Sequence, residues 1–201
     1  MPSTYFHFRS DDTNWDAPLQ TQQCEFTKTD GHRCRNRVVI GAPLCWIHRK
    51  QAQHVQVKES HIEGAGKGVF ATNGTNNHAI VFHKDDVLFP YHGEHINEEE
   101  LQRRYEDHTA PYGVKLRVAG RTLYEDGALK RGIGSLPNHG NQRHSNITFY
   151  TAYPRNGEPI TKEKATKNIR NGDELLVNYG NEYGMNEHGV EYSTNRRKYA
   201  L

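Results

Sequence analysis

The chain has 201 residues, 34% of them hydrophobic, with a mean hydropathy of −0.94, which suits one medium domain with a modest core, long polar loops and a small appendage. A net charge of +2 is too small to indicate a polyanionic partner from the whole chain. The sequence lacks both an apolar run of the roughly 18 residues that a membrane span needs and the apolar core of a signal peptide, so we expect a soluble intracellular protein without a membrane partner.

Residues 1–20 are polar and lack periodicity, which predicts a tail. The next thirty residues, 21–50, hold all three cysteines and a histidine in the pattern C-x9-C-x10-C-x2-H. An odd number of cysteines without an export signal argues against a disulfide framework. Three thiolates and one imidazole make a closed, tetrahedral zinc site of the structural type. The predicted ligands are Cys24, Cys34, Cys45 and His48. The alternative interpretation is three scattered buried cysteines and a surface histidine.

This ligand order, with these intervals, resembles the WRC-type zinc motif of plant nuclear proteins. The other residues of that motif match only in part along CEFTKTDGHRCRNR. The segment is also basic, with only Glu25 and Asp30 opposing its cations. The cationic residues in it or at its edge are Lys28, Arg33, Arg35, Arg37, Arg49 and Lys50. Such side chains can contact the phosphates of a nucleic acid or an acidic protein surface. They can equally form the solvated rim of a purely structural module.

The rest of the chain indicates a mainly β fold. After a short link at 51–54, VQVKES alternates in polarity and predicts an edge strand, and GVFAT predicts another beyond a glycine turn. The segment 87–96, VLFPYHGEHI, predicts one strand with Pro90 near its middle, which suits an edge or a bend. Asn97 starts a capping box, so a helix is expected through about Asp107. Further strands are predicted for VKLRV and RTLYE around Ala119-Gly120, for NITFYTAY, and for KATKNI and ELLVNY around the turn Arg170-Asn171-Gly172.

Three motifs, in order, resemble the SET-domain lysine methyltransferases. They are GAGKGVFAT (64–72), SLPNHGNQRHSN (135–146) and NGDELLVNYGNEY (171–183). Three matches in the family's order weigh far more than any one, since a lone Gly-Lys-Gly, Asn-His or strand tyrosine is common. The resemblance runs from about Val55 to Tyr183. It implies a SET-domain fold at 55–183, with short curved sheets and a pseudoknot, preceded by a small zinc module.

The resemblance also implies an activity, methyl transfer from S-adenosyl-L-methionine to a protein lysine, with histones favoured as substrates in the nucleus. The implied catalytic residues are Tyr179 in NYG and Tyr91 in YHGE. The implied cofactor-binding residues are Gly66, Lys67, Gly68, Tyr112, Asn138, His139 and Tyr179. Asp126, ahead of the Asn-His motif, is interpreted as structural.

The chain departs from the family pattern at several positions. The usual Arg-Phe-x-Asn-His-Ser reads SLPNHG at 135–140, which bears on cofactor affinity rather than on the fold. No cysteine follows Tyr179, so the segment 184–201 is expected to replace the zinc-bound lid of many relatives. Val177 stands where an aromatic residue often influences the number of methyl groups added. The aromatic residues expected to wall the lysine channel are Tyr183, Tyr192 or Tyr199.

Two other functions are compatible with these residues. A module that kept the fold without catalysis would bind chromatin or nucleic acid, and a measurement of S-adenosylmethionine binding would distinguish it. A zinc hydrolase that uses the cysteine cluster is disfavoured, because a fourth protein ligand leaves no position open for water.

Overall fold

The computed structural model describes residues 21–106, 110, 112–118, 120–155 and 157–180. The expected tail at 1–20 and the segment 184–201, with the three channel tyrosines predicted there and at 183, lie outside these residues. The strands are β1 Thr21–Gln23, β2 Arg37–Val39, β3 Val55–Glu59, β4 Lys67–Ala71, β5 Ile80–Phe82, β6 Val87–Pro90, β7 Glu94–Ile96, β8 Gly113–Val118, β9 Arg121–Asp126, β10 Asn138–His139, β11 Ile147–Ala152, β12 Ile160–Ala165, β13 Ile169–Arg170 and β14 Leu176–Val177. The helices are α1 Trp46–Ala52 and α2 Glu98–Tyr105, and a 3₁₀ turn spans Ile133–Ser135. Neither of the two helices is long and apolar enough to span a bilayer.

A five-stranded sheet lies at the centre of the fold, in the order β10-β14-β11-β12-β6. β10 and β11 follow each other along the chain, yet β14 lies between them and runs parallel to both. The chain after β13 therefore passes between two strands that an earlier loop connects. This crossing confirms the expected pseudoknot, and it brings the Asn-His segment beside the segment that leads to Tyr179.

Smaller sheets surround this centre. β3 pairs with β4, β5 with β13, and β7, β9 and β8 form a three-stranded antiparallel sheet. The apolar core of the fold draws on β3, β4, β6 and the strands from β11 to β14. Its fully or almost fully buried members are Val55, Val69, Ala71, Phe89, Ile133, Ile147, Ala165, Ile169, Leu175 and Val177. The mainly β architecture predicted from the sequence is thus confirmed.

Two predicted strands are wrong in their extent. The expected single strand over 87–96 is two strands, β6 and β7, separated at 91–93, where His92 has a φ of 63°. A Cβ on Gly93 would lie 2.8 Å from backbone atoms of Asp126, so the chain bends here to pack closely on β9. The expected strand KATKNI is also interrupted, because β12 ends at Ala165 and β13 begins only at Ile169.

Helix α2 matches its prediction. The Asn97 side chain accepts a hydrogen bond from the Glu100 amide at 2.8 Å, which satisfies one of the free N–H groups of the first turn. Arg104 points inward and donates to Asp126 at 2.8 Å, while the Tyr105 hydroxyl donates to the same carboxylate at 2.9 Å. Asp126 is fully buried. These contacts support the structural role predicted for it.

Candidate functional site

The four predicted metal ligands converge in one cluster. Their ligating atoms all lie within 4.8 Å of one another, and all four side chains are buried. The Cys34 and Cys45 sulfurs are 4.0 Å apart, and His48 Nδ1 lies 3.2 Å from Cys45 Sγ and 3.6 Å from Cys24 Sγ. A tetrahedral zinc ion would place two sulfurs about 3.8 Å apart and a sulfur and nitrogen about 3.5 Å apart, given its usual bond lengths. The cluster therefore has the dimensions of a Cys3His zinc site.

Local chain geometry builds this cluster. The Cys24 amide donates to Asn36 O and the Cys34 amide to Phe26 O, both at 2.8 Å, which places the first two cysteines on facing chain segments. Cys45 is the N-cap of α1, so Cys45 and His48 lie one helical turn apart. The Phe26 ring stacks on His48 at 3.8 Å and holds its orientation.

The electrostatics of the cluster favour a thiolate at Cys45. Burial alone would raise its pKa, but hydrogen bonds from the Asn36 amide and from the backbone of His48 and Ile47 lower the pKa to about 6. For Cys34, a backbone hydrogen bond from Asn36 lowers the pKa, but burial and the neighbouring thiols outweigh it, so the pKa is raised. A bound cation would favour the thiolate at all three sulfurs. Three thiolates and an imidazole are the ligands that structural zinc prefers, so these residues fit the ion.

The motif residues form a second cluster, where β10 and β14 run side by side. The Tyr179 amide donates to His139 Nδ1 at 3.2 Å, and the two rings meet edge to face at 5.3 Å. The Tyr179 hydroxyl donates to Pro137 O at 2.8 Å. An imidazole nitrogen that accepts a hydrogen bond must be unprotonated, and burial lowers the His139 pKa in the same direction. The structure thus joins two predicted residues that are 40 positions apart.

The Gly-x-Gly turn reaches the same cluster. The Asn138 side chain donates to Lys67 O at 3.0 Å, so Lys67 meets the cluster through its backbone, while its ammonium pairs with Glu59. Gly66 adopts a φ of +67° and has open space where a side chain would point. At Gly68, by contrast, a Cβ would lie 2.9 Å from the Glu174 carboxyl carbon, so a side chain there would displace Glu174.

Glu174 is a central residue of the site that the sequence interpretation missed. Its buried carboxylate accepts hydrogen bonds from Ser60 Oγ at 2.7 Å, the His61 amide at 2.9 Å and Asn138 Nδ2 at 3.2 Å. It therefore ties the start of the Gly-x-Gly loop to the Asn-His motif. In the sequence, its position inside the Gly-Asp-Glu block was the one indication of a role in the site.

Asn146 is a second missed residue. Its side chain donates to Glu174 O at 2.7 Å and accepts from the Leu176 amide at 2.8 Å. This pair of bonds ties the start of β11 to the chain that enters β14. Gly140, one of the departures from the family pattern, lies nearby. A Cβ on Gly140 would lie 2.8 Å from Leu176 Cβ, and the Ser145 hydroxyl donates to Gly140 O at 2.6 Å.

The two other predicted tyrosines, Tyr91 and Tyr112, contact each other. The buried Tyr91 hydroxyl donates to Tyr112 O at 2.7 Å, and its ring packs edge to face on Phe149. Burial raises the Tyr91 pKa well above its usual value, and the nearby Tyr179 raises it further. Both Tyr91 and Tyr179 therefore donate their hydroxyl protons to backbone carbonyls. Each phenol oxygen keeps lone pairs that can accept from an incoming N–H or a polarised C–H.

The cluster has features that suit a nucleotide-like cofactor. Among the described residues β10 is at the edge of its sheet, so one side of its backbone pairs with no strand in that part of the chain. The turn at Gly66 adds open space beside exposed backbone. These two features fit a polar ligand held against exposed backbone.

Comparisons with known proteins agree with this arrangement. The model of the SET domain family matches residues 66–180, more than half of the chain. A humanized mutant of the Chaetomium thermophilum Polycomb Repressive Complex 2, bound to an inhibitor, is similar with a TM-score of 0.53 and 27% identity, over 69% of this chain and 16% of that chain. The crystal structure of the complex from that organism is similar with a TM-score of 0.53 and 25% identity, over 77% of this chain and 18% of that chain.

A third structure shows the same complex in an autoinhibited conformation bound to S-adenosylmethionine. It has a TM-score of 0.52 and 24% identity, over 77% of this chain and 17% of that chain, and shows likeness of fold alone. The chain therefore spans less than a fifth of the length of each of these three matched chains. No curated protein sequence matches it.

Proposed function

The chain belongs to the SET-domain family, and on that premise we propose that it transfers a methyl group from S-adenosyl-L-methionine to the ε-amine of a protein lysine. The observation that carries this proposal is the contact of Tyr179 with the Asn-His segment, where the Tyr179 amide donates to His139 Nδ1 at 3.2 Å. Histones are the favoured substrate, because they are the commonest substrates of the family. A nuclear location follows from that choice of substrate.

The reaction depends mainly on aligning the amine with the methyl group and needs no covalent intermediate with the protein. The cofactor supplies an electrophilic methyl carbon on a sulfonium, and the neutral amine displaces the sulfur in line. The N–C bond forms as the C–S bond breaks, and the positive charge moves from sulfur to nitrogen. The amine proton then leaves to solvent.

The phenol oxygens of Tyr179 and Tyr91 suit this alignment. Each hydroxyl donates its proton to a backbone carbonyl, and this bond fixes the direction in which the phenol oxygen would face the amine and the methyl group. The raised pKa of Tyr91 keeps that hydroxyl neutral, so it acts as an oriented acceptor rather than as a base.

The Asn-His segment and the Gly-x-Gly turn are assigned to cofactor binding. Asn138 and His139 would hold the adenine end mainly through backbone groups of the edge strand. Gly66 and the backbone of Lys67 and Gly68 would lie along the methionine end. Tyr112 is assigned as a further cofactor contact. Glu174 and Asn146 would position these groups through the bonds described above.

We assign one structural zinc ion to Cys24, Cys34, Cys45 and His48. All four donors are buried and converge on one point, so the ion would stabilise the small module rather than act on a substrate. This closed donor set also weighs against the hydrolase alternative, because no side of the ion would be open to water.

A binding module without catalysis remains the second candidate, and one observation favours it. Trp46 is 73% exposed and the adjacent Ile47 is 41% exposed, on a helix that also carries the exposed Lys50. An exposed aromatic among cations suits a nucleic acid or an acidic protein surface. This contact is compatible with catalysis in the same chain.

Methyl transfer can be tested directly. The chain is incubated with radiolabelled S-adenosylmethionine, histones and cell extract, and mass spectrometry then identifies the modified lysine. Tyr179→Phe removes one hydroxyl and is expected to lower turnover on the order of 10²–10³-fold while the protein stays folded. Tyr153→Phe, at a residue that is 65% exposed, is the matched control. Cofactor binding by calorimetry without any labelled product would support the second candidate instead.

A further inference from the structure

The N-terminal segment makes one close contact with the chain that leads into the Asn-His motif. We call residues 21–50 the Cys3His module. The Arg131 amide donates to Ile40 O of this module at 2.8 Å. Next to it, Gly41 has a φ of +95°, and a Cβ there would lie 3.1 Å from both the N and C atoms of Arg131. The two backbones are therefore in direct contact, and only glycine fits at this point.

The Arg131 side chain continues this contact inward. It is 7% exposed, and its guanidinium carbon lies 3.7 Å from the centre of the Tyr112 ring, in cation–π geometry. Arg131 Nε donates to Gly127 O at 3.0 Å, and the Gly127 amide donates to Tyr112 O at 2.9 Å. Arg131 thus holds Tyr112 by its ring and, through Gly127, by its backbone.

Tyr112 in turn holds a residue of the proposed reaction site. Its carbonyl accepts the Tyr91 hydroxyl at 2.7 Å, and this bond fixes the direction of the Tyr91 lone pairs. The Gly132 amide also donates to Tyr91 O at 3.2 Å. A continuous series of contacts therefore runs from Ile40 through Arg131 and Tyr112 to Tyr91.

We infer that Arg131 is a positioning residue through which the Cys3His module orients Tyr112 and the Tyr91 hydroxyl. This inference rests on the proposed function. The module contributes no group to the reaction; it fixes the backbone from which Arg131 reaches the tyrosines. Misplacement of a positioned group by about 1 Å can cost on the order of 10²-fold in rate. The expected signature is a lower kcat with little change in KM for the peptide, because the alignment acts in the transition state.

Two glycines of the module give a matched pair of variants. Gly41 and Gly31 both have a positive φ, +95° and +79°, so an alanine at either place has a similar backbone strain. Only Gly41→Ala would collide with Arg131, since nothing lies within 4 Å of a Cβ on Gly31. We expect Gly41→Ala to lower kcat about tenfold or more, and Gly31→Ala to stay within twofold of the unaltered protein. The bound zinc, measured in parallel, is expected to stay at one equivalent in both.

Variants at Arg131 test the same contact from the other side. Arg131→Ala removes both the ring contact and the bond to Gly127 and should lower kcat at least as much as Gly41→Ala. Arg131→Lys keeps a cation near Tyr112 and should recover part of the rate. Recovery by lysine would not be expected if Arg131 merely filled space.

Hydrogen exchange supplies a readout that does not need activity. In Gly41→Ala and Arg131→Ala, amides in 127–135 and at Tyr112 should exchange faster than in Gly31→Ala. Equal exchange and equal kcat in all three would overturn the inference and leave the proposed function intact. A protein that transfers no methyl group would refute the proposed function, and the exchange data would still decide the positioning role. If Arg131→Ala does not fold, the pair of glycine variants decides it.

Discussion

Replacing Glu163 is expected to stabilise this protein, and increasingly so as the pH rises. Glu163 lies in the middle of β12 with no exposed surface, and within the part of the chain that the structure describes neither of its carboxylate oxygens has a hydrogen-bond partner. Burial raises its pKa well above the usual value. A buried carboxyl without a partner is costly, and it is far more costly when ionised.

The pH dependence follows from this raised pKa. In the unfolded chain a glutamate has a pKa of about 4.3 and ionises above that pH, whereas the raised pKa lets the folded state keep the proton to a higher pH. The unfolded state therefore binds fewer protons, and stability is lost as the pH rises from about 4 towards the folded pKa. The loss is about 1.4 kcal/mol per pH unit for as long as the folded carboxyl keeps its proton.

Two variants separate the cost of the charge from the cost of the polar group. Glu163→Gln cannot ionise but leaves a buried amide, so its stability relative to the unaltered protein should increase from pH 5 to pH 7. Glu163→Leu removes both costs and should add about 1–3 kcal/mol over Glu163→Gln at every pH. Glu63→Gln, at an exposed position, is the control for losing one carboxylate.

The assay is urea unfolding, followed by circular dichroism at pH 5, 6 and 7, with the free energy of unfolding extrapolated to water. Parallel pH profiles for the unaltered protein and Glu163→Gln would refute the reasoning, because they would mean that Glu163 is ionised in the folded state. A loss of stability in Glu163→Leu would show that the carboxyl has a partner that compensates its burial.

Other predictions concern the two clusters. Cys34→Ser should lose stoichiometric zinc in metal analysis, and a variant that keeps a full equivalent would contradict the ligand assignment. Asn138→Ala should lower the affinity for S-adenosylmethionine at least several-fold in calorimetry, since it loses the bonds to Lys67 O and to the Glu174 carboxylate, at a cost of about 1–3 kcal/mol. His139 has a pKa below 6.5 in the folded state, so its contribution to stability should be complete above about pH 6.5 and fall as the pH falls. The free energy of unfolding should change less between pH 7.5 and pH 5.5 in His139→Gln than in the unaltered protein. An equal change in both proteins would count against a neutral imidazole at His139.

The Cys3His cluster could be predicted from the sequence because its geometry is local. All four ligands fall within 25 positions, and a facing pair of segments and one helical turn bring them together. The Asn-His and Tyr-Gly motifs could be located only through their resemblance to a family. Periodicity gave no reason for Tyr179 to contact His139, since their meeting depends on a strand that inserts between two others.

The extents of strands were less predictable than their existence. The break between β6 and β7 arises where Gly93 packs on Asp126, a contact between residues 33 positions apart that leaves no mark on the local pattern. The local pattern is misleading at Glu163. A glutamate among lysines in a polar segment indicates an exposed side chain, but Glu163 is buried.

From the sequence alone we could predict the class of fold and the ligands of the candidate zinc site, and, through resemblance to a family, the motif residues of the candidate active site. Only the tertiary structure shows that Asn138 donates a hydrogen bond to Glu174 and that Arg131 packs on the Tyr112 ring. Such contacts depend on the register of paired strands and on the packing of one segment against another. A shift of one residue in a strand reverses the direction of every side chain, so partners that are distant in the chain are decided when the whole sheet forms.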